Sequence, residues 1–60
     1  MKRSKALIEI KQAGYDGDVQ KAALVTAKSG VGKAASRKAY LDGEKMKAWG
    51  DPRPEVPKGK

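Results

Sequence analysis

A short glycine-containing stretch in the middle of the chain suggests phosphate chemistry. Gly30-Val31-Gly32-Lys33 matches the end of the pattern G-x-x-x-x-G-K-[ST], in which backbone N–H groups and a lysine hold a phosphate at the start of a helix. Two positions depart from it, since Ala27 stands at the first glycine and Ala34 at the residue that binds Mg²⁺. The sequence therefore favours a plain turn between two helices. A weaker role stays open, in which Lys33 contacts a nucleic-acid phosphate.

A second candidate site is a row of basic side chains that includes one aromatic ring. On a helix beginning at Lys33, the residues at positions 33, 36, 37, 40 and 47 share one face, with Glu44 among them. Cationic side chains neutralise phosphates, Arg37 can stack or bind bidentately, and Tyr40 can stack on an unpaired base. The alternative is a solvated face with Tyr40 at the edge of the core. The predicted nucleic-acid-binding residues are Lys33, Arg37, Tyr40, Lys47 and Lys28.

Catalytic and metal chemistry find little support in the sequence. Asp16 and Asp18 flank Gly17, where a helix N-cap is a better interpretation than an acid pair. The chain contains no Cys and no His, which removes the usual zinc ligands and any disulfide. We therefore expect a protein that is not an enzyme and has no catalytic residues, no metal site and no cofactor.

Two helices are predicted in the first half of the chain. Ser4 is the expected N-cap of the first helix and Gly14 its C-terminal stop. Asp18 is the expected N-cap of the second, although residues 23–26 would also suit a short strand. The apolar face of the second helix is predicted to comprise Val19, Ala22, Ala23, Thr26 and Ala27.

A third helix is predicted from about Lys33 to Trp49, and Gly43 in its middle is expected to kink or end it. Trp49 is expected to anchor the small core, whereas an exposed position would mark an interface. Residues 1–50 would then form one helical domain, and the Pro- and Lys-rich residues 51–60 an extended or disordered tail. The apolar stripe of the third helix is predicted to combine Ala34, Leu41 and Ala48 with Ala35, Ala39, Met46 and Trp49.

The charge of this short chain is an argument about its partners. Its 60 residues carry 14 Lys and Arg against 7 Asp and Glu, a formal net charge of +7, which favours a polyanionic or acidic partner. Large apolar residues are few, so we expect a marginal fold that a homodimer or another partner completes. No apolar stretch is long enough to span a membrane, and the basic N-terminus is not typical of a signal peptide. A cytoplasmic location is the default expectation.

Three short segments resemble the ribosome modulation factor family, which includes the CrpP-type proteins. They are the opening Met1-Lys2-Arg3, then Ala13-Gly14-Tyr15-Asp16-Gly17, and Arg37-Lys38-Ala39-Tyr40-Leu41-Asp42-Gly43, which is similar to the family's R-x-x-W-L-x-G. The family's central Cys-Pro-Tyr is absent, and Glu44 stands where a Trp usually follows the last Gly.

The resemblance implies a small protein of two or three helices that binds ribosomal RNA near the mRNA-binding region and silences ribosomes. Arg37 and Tyr40 are the positions to which that role carries over. The CrpP branch is credited with ATP-dependent modification of a drug, a role that would involve Lys33, but no base, metal ligand or nucleotide pocket is visible in this sequence.

These observations predict an all-α fold, a small bundle of two or three short helices with a disordered C-terminal tail. The predicted function is docking on RNA, the ribosome or other nucleic acid through a basic helix face, with a part in translation regulation. One alternative is a small phage-type adaptor or inhibitor that binds a host protein. Others are a helix-turn-helix protein that binds DNA and, least favoured, a nucleotide-dependent modifying enzyme.

Overall fold

Three α-helices make up the computed structural model of the protein, which describes residues 2–55. Helix α1 spans Arg3–Asp16, α2 spans Val19–Ser29 and α3 spans Lys33–Ala48. The all-α prediction is confirmed, and no strand occurs within the described residues. Residues 23–26, for which a strand was the alternative, lie inside α2.

The first helix begins and ends at residues other than those predicted. Lys2 is its N-cap residue and no side chain caps it, so the prediction for Ser4 is wrong. At the other end α1 runs past Gly14 to Asp16. It stops there because Gly17 has a φ of 74°, and the N–H of Asp18 donates to the carbonyl of Ala13 at 2.8 Å. A left-handed glycine with this hydrogen bond is a Schellman ending.

Helix α2 begins as the sequence indicates. The Asp18 carboxylate accepts a hydrogen bond from the backbone N–H of Lys21 at 3.0 Å. This bond satisfies one of the amide groups that a helix start leaves without a partner. The N-cap prediction for Asp18 is therefore confirmed.

The core is built from small side chains around one larger residue of α1. Ile10 is completely buried, and Leu7 and Tyr40 pack against the cluster from its edge. Helix α1 is central, because it packs extensively on α3 and also on α2, whereas α2 and α3 contact each other least. The other buried apolar residues are Ala6, Ala13, Ala22, Val25, Val31 and Ala39.

The inward face of α3 differs from the predicted stripe. Ala39 and Gly43 are its buried residues, whereas Ala34, Leu41 and Ala48 are exposed. Helix α3 also continues through Gly43 to Ala48, so the predicted early end at Gly43 is wrong. The burial of this side of α3 follows from its packing, because the backbones of α1 and α3 touch at Gly43 and that contact turns the side inward.

The chain after α3 folds back over α1. Tyr15 donates its hydroxyl hydrogen to the carbonyl of Asp51 at 2.7 Å, and the Gln12 side-chain amide donates to the carbonyl of Pro54 at 2.8 Å. The described part of the predicted tail, residues 51–55, therefore has neither helix nor strand but is attached to the bundle. The rest of that prediction, residues 56–60, lies outside the described residues.

Candidate nucleic-acid interface

A groove of about 530 Å³ lies between α2 and α3. It forms because α1 packs against both helices while they make little contact with each other. Its α2 wall consists of Val19, Ala22, Ala23, Thr26 and Ala27. Its α3 wall consists of Lys33, Ser36, Arg37, Tyr40, Leu41 and Glu44.

Three of the five predicted binding residues meet on the α3 wall. Lys33, Arg37 and Tyr40 all line the groove, and Glu44 follows one turn beyond Tyr40. At a helical rise of 1.5 Å per residue, the wall from Lys33 to Glu44 is about 16 Å long. The spacing that the sequence indicated thus places two cations, an aromatic ring and a carboxylate in order along one groove.

The two cations of the groove are available to a ligand. Within residues 2–55 the ion pairs are Lys38 with Asp42 and Arg53 with Asp16, so neither Lys33 nor Arg37 is paired there. Both of these groove residues are exposed. A phosphate arriving at this wall would therefore not have to displace a carboxylate of the described chain.

Tyr40 belongs both to the edge of the core and to the groove. It is half-buried and packs against the core, as the alternative interpretation proposed, and it also lines the groove. Its backbone lies against Gly14 of α1. The side chain therefore starts from a backbone that cannot shift freely, which reduces the entropy that a bound partner would cost.

The structure does not bring Lys28 and Lys47 into the groove. Lys28 lies in the last turn of α2, where a cation interacts favourably with the negative end of the helix dipole. Lys47 lies in the last turn of α3, and its Nζ is 5.5 Å from the centre of the Tyr15 ring. That distance is within the range of a cation–π interaction.

Several apolar side chains that the sequence predicts in the core line the open groove instead. The predicted apolar face of α2 forms one wall of the groove, and only Ala22 of that face is buried. Val19 is 65% exposed, and Leu41, on the opposite wall, is 43% exposed. Apolar periodicity identified the right face of α2 but does not distinguish a core from an open groove.

A pair of hydroxyl groups joins α2 and α3 at the groove. The Oγ atoms of Thr26 and Ser36 are 2.6 Å apart. Thr26 donates its hydroxyl hydrogen to the carbonyl of Ala22 at 2.7 Å, so Ser36 is the donor in the pair. This bond fixes the separation of the walls near the start of α3.

The glycine-containing stretch forms the turn between α2 and α3. Gly30 follows the end of α2, the buried Val31 fills the core edge, and Gly32 is the N-cap residue of α3. No parallel sheet supports this loop within the described residues, unlike in the nucleotide-binding pattern. The turn interpretation is confirmed.

Trp49, which we expected in the core, is 71% exposed. It follows the last residue of α3, where the chain turns toward α1 through Gly50. The prediction of a core anchor is wrong, because the helix places this position on the side away from the α1 contact.

Comparisons of the chain with protein families, with curated proteins and with solved structures find no match. The resemblance to the ribosome modulation factor family remains a prediction. No helix among residues 2–55 has the length and apolar character needed to cross a membrane.

Proposed function

We propose that this protein is a cytoplasmic, non-enzymatic binding protein that docks on RNA through the α3 wall of the α2–α3 groove. The observation that carries the proposal is the placement of the unpaired cations Lys33 and Arg37 in the same groove as Tyr40. Ribosomal RNA is the favoured form, in keeping with the resemblance in sequence.

Electrostatics supports a polyanion as the ligand. The net charge of +7 attracts phosphates at long range, and Lys33 and Arg37 provide the local contacts. Each phosphate that they neutralise releases counterions, so the affinity should fall as salt rises.

Unpaired RNA suits the groove better than duplex DNA does. A helix that reads duplex DNA uses side chains such as Asn or Gln to recognise adenine in the major groove, and α3 contains neither. Tyr40, by contrast, lies in a groove that an unstacked base can enter. The helix-turn-helix alternative is therefore the less favoured one.

The test is fluorescence anisotropy of a labelled single-stranded RNA across a series of salt concentrations. We expect Arg37→Ala and Lys33→Ala each to weaken binding and to reduce the salt slope by about 1. Lys38→Ala is the matched control, because it removes the same charge from the same helix at a residue paired with Asp42 outside the groove. Equal losses in all three variants would show that net charge alone, and not the groove, binds RNA.

Tyr40 needs a variant that preserves the core. Tyr40→Leu keeps an apolar side chain against the cluster but removes the aromatic face. Loss of base stacking should cost about 1–3 kcal/mol of binding free energy. Unchanged affinity, with helix content intact by circular dichroism, would remove Tyr40 from the interface.

A protein ligand is the second candidate, favoured by the exposed Val19 and Leu41 in the groove. An amphipathic helix could lay its apolar face against these two residues. Copurification from lysate separates the candidates. Ribosomal RNA released by high salt supports RNA docking, whereas one protein retained through high salt, without RNA, and lost in Leu41→Ala supports the adaptor.

A further inference from the structure

We infer that the α2–α3 groove takes one unpaired guanine of a single-stranded RNA, with Glu44 accepting hydrogen bonds from its Watson–Crick edge. This inference rests on the proposed RNA-binding function and names the base that the groove selects.

Glu44 is the one acidic residue lining the groove within the described chain. It lies on the same wall as Arg37 and Tyr40, about 10 Å and about 6 Å further along the helix axis at 1.5 Å per residue. It forms no ion pair with a cation of residues 2–55, so its carboxylate is free to accept from a ligand.

The order of charges along the wall orients a nucleotide. Lys33 and Arg37 attract phosphate at one end, and the Glu44 carboxylate repels it at the other. The backbone of a bound strand is therefore favoured at the cationic end. A base from that strand can reach toward Glu44, past Tyr40.

The groove offers a surface for the faces of a base. Leu41 and Val19 are exposed on opposite walls, and Ala23 lies between them and the turn. The volume of about 530 Å³ accommodates an unstacked base with part of its sugar. Apolar surface combined with a small number of placed polar groups is the usual design of a site that fixes a ligand's orientation.

Hydrogen-bond chemistry identifies the base. Guanine alone presents two adjacent donors on its Watson–Crick edge, the N1–H and the N2 amino group, which match the two oxygens of a carboxylate. Adenine and cytosine each place an acceptor beside a single amino donor, and uracil places its one N–H between two carbonyls. A carboxylate therefore binds guanine with two bonds and meets an acceptor on each of the others.

The experiment measures anisotropy with labelled uridine decamers that carry one central guanine, inosine, adenine, cytosine or uridine. We expect the guanine decamer to bind about tenfold more tightly than the uridine, adenine and cytosine decamers, as a bidentate contact predicts. Inosine, which keeps the N1–H but lacks the N2 amino group, should be intermediate.

Glu44→Gln is the decisive variant, and Glu9→Gln on α1 is its matched control, because Glu9 does not line the groove. We expect Glu44→Gln to abolish the guanine preference and Glu9→Gln to retain it. Equal binding of all decamers by the natural protein, or a preference that survives in Glu44→Gln, would overturn the inference while RNA docking stands. Failure to bind any decamer at low salt would overturn both proposals.

Discussion

Gly14 in α1 and Gly43 in α3 have reciprocal positions, because each glycine lies against the backbone of the other helix. A Cβ on Gly14 would stand 2.8 Å from the carbonyl carbon of Tyr40, and one on Gly43 would stand 2.8 Å from the backbone nitrogen of Tyr15. These distances are too short for a methyl group. The two helices therefore meet backbone to backbone, and the contact determines how α3 presents the groove.

Gly43→Ala should destabilise the protein, because the added methyl group overpacks the crossing of α1 and α3 at a cost of about 1–3 kcal/mol. Helix propensity acts in the opposite direction, since alanine is favoured over glycine in a helix interior by about 1 kcal/mol. Urea unfolding followed by circular dichroism measures the net change in the free energy of unfolding.

Ala34→Gly serves as the control for helix propensity, because Ala34 is an exposed position of the same helix. It should cost at most about 1 kcal/mol, through propensity alone, because Ala34 lies in the first turn of α3. If Gly43→Ala raises the free energy of unfolding instead, the backbones of α1 and α3 do not approach each other closely at Gly43.

The starts of α2 and α3 were predictable because their signals are local, whereas both ends of α1 differ from the prediction. The Asp18 N-cap, the turn around Val31 and the start of α3 at Lys33 all follow from short-range chemistry and were predicted correctly. The same periodicity brought Lys33, Arg37 and Tyr40 onto one wall of the candidate site.

The remaining features depend on contacts between distant residues. The inward face of α3 is determined by the close approach of the two backbones at Gly14 and at Gly43, which no local pattern of apolar residues reveals. The attachment of residues 51–55 rests on hydrogen bonds from Gln12 and Tyr15, which lie 42 and 36 residues away from their partners. The Pro-rich composition indicated only that this segment is not helical.

The pairing of Arg53 with Asp16 should make the attachment of the C-terminal segment depend on pH. The Arg53 guanidinium donates two hydrogen bonds to one carboxylate oxygen of Asp16, at 2.7 and 3.2 Å, and one to the other at 3.1 Å. Its hydrogen bonds and its charge hold the pKa of Asp16 below the ordinary value of 3.8. The pair stabilises the folded state at pH values above 3.8. This stabilisation is lost as the pH falls through the lower pKa that Asp16 has in the folded state.

The Asp16 titration is followed by the chemical shift of its carboxyl carbon in NMR spectra. In Arg53→Ala the pKa of Asp16 should rise toward 3.8, because the donor and the nearby positive charge are gone. Arg53→Lys keeps the charge but not the planar fork, so it should restore only part of the lowering. An unchanged midpoint in Arg53→Ala would show that the pair does not form in solution.

Ser36→Ala should weaken the connection between α2 and α3. The hydroxyl of Ser36 donates to Thr26 at 2.6 Å, and the loss of one such hydrogen bond costs about 0.5–1.5 kcal/mol. Ser4→Ala is the control, because Ser4 is exposed and does not cap α1. Equal stability of the two variants in thermal unfolding would mean that the hydroxyl pair does not hold the groove walls together.

Truncation of Ile10 should destabilise the protein more than truncation of Trp49, although Trp is the larger residue. Ile10→Ala should cost about 2–5 kcal/mol, because the residue is completely buried and its removal leaves a cavity. Trp49→Ala should change the free energy of unfolding by less than about 0.5 kcal/mol, since 71% of that residue is exposed. The indole of the natural protein should accordingly be quenched by iodide nearly as efficiently as free tryptophan. A shielded indole, or a loss from Trp49→Ala comparable to that from Ile10→Ala, would place Trp49 in the core and reverse the orientation assigned to the end of α3.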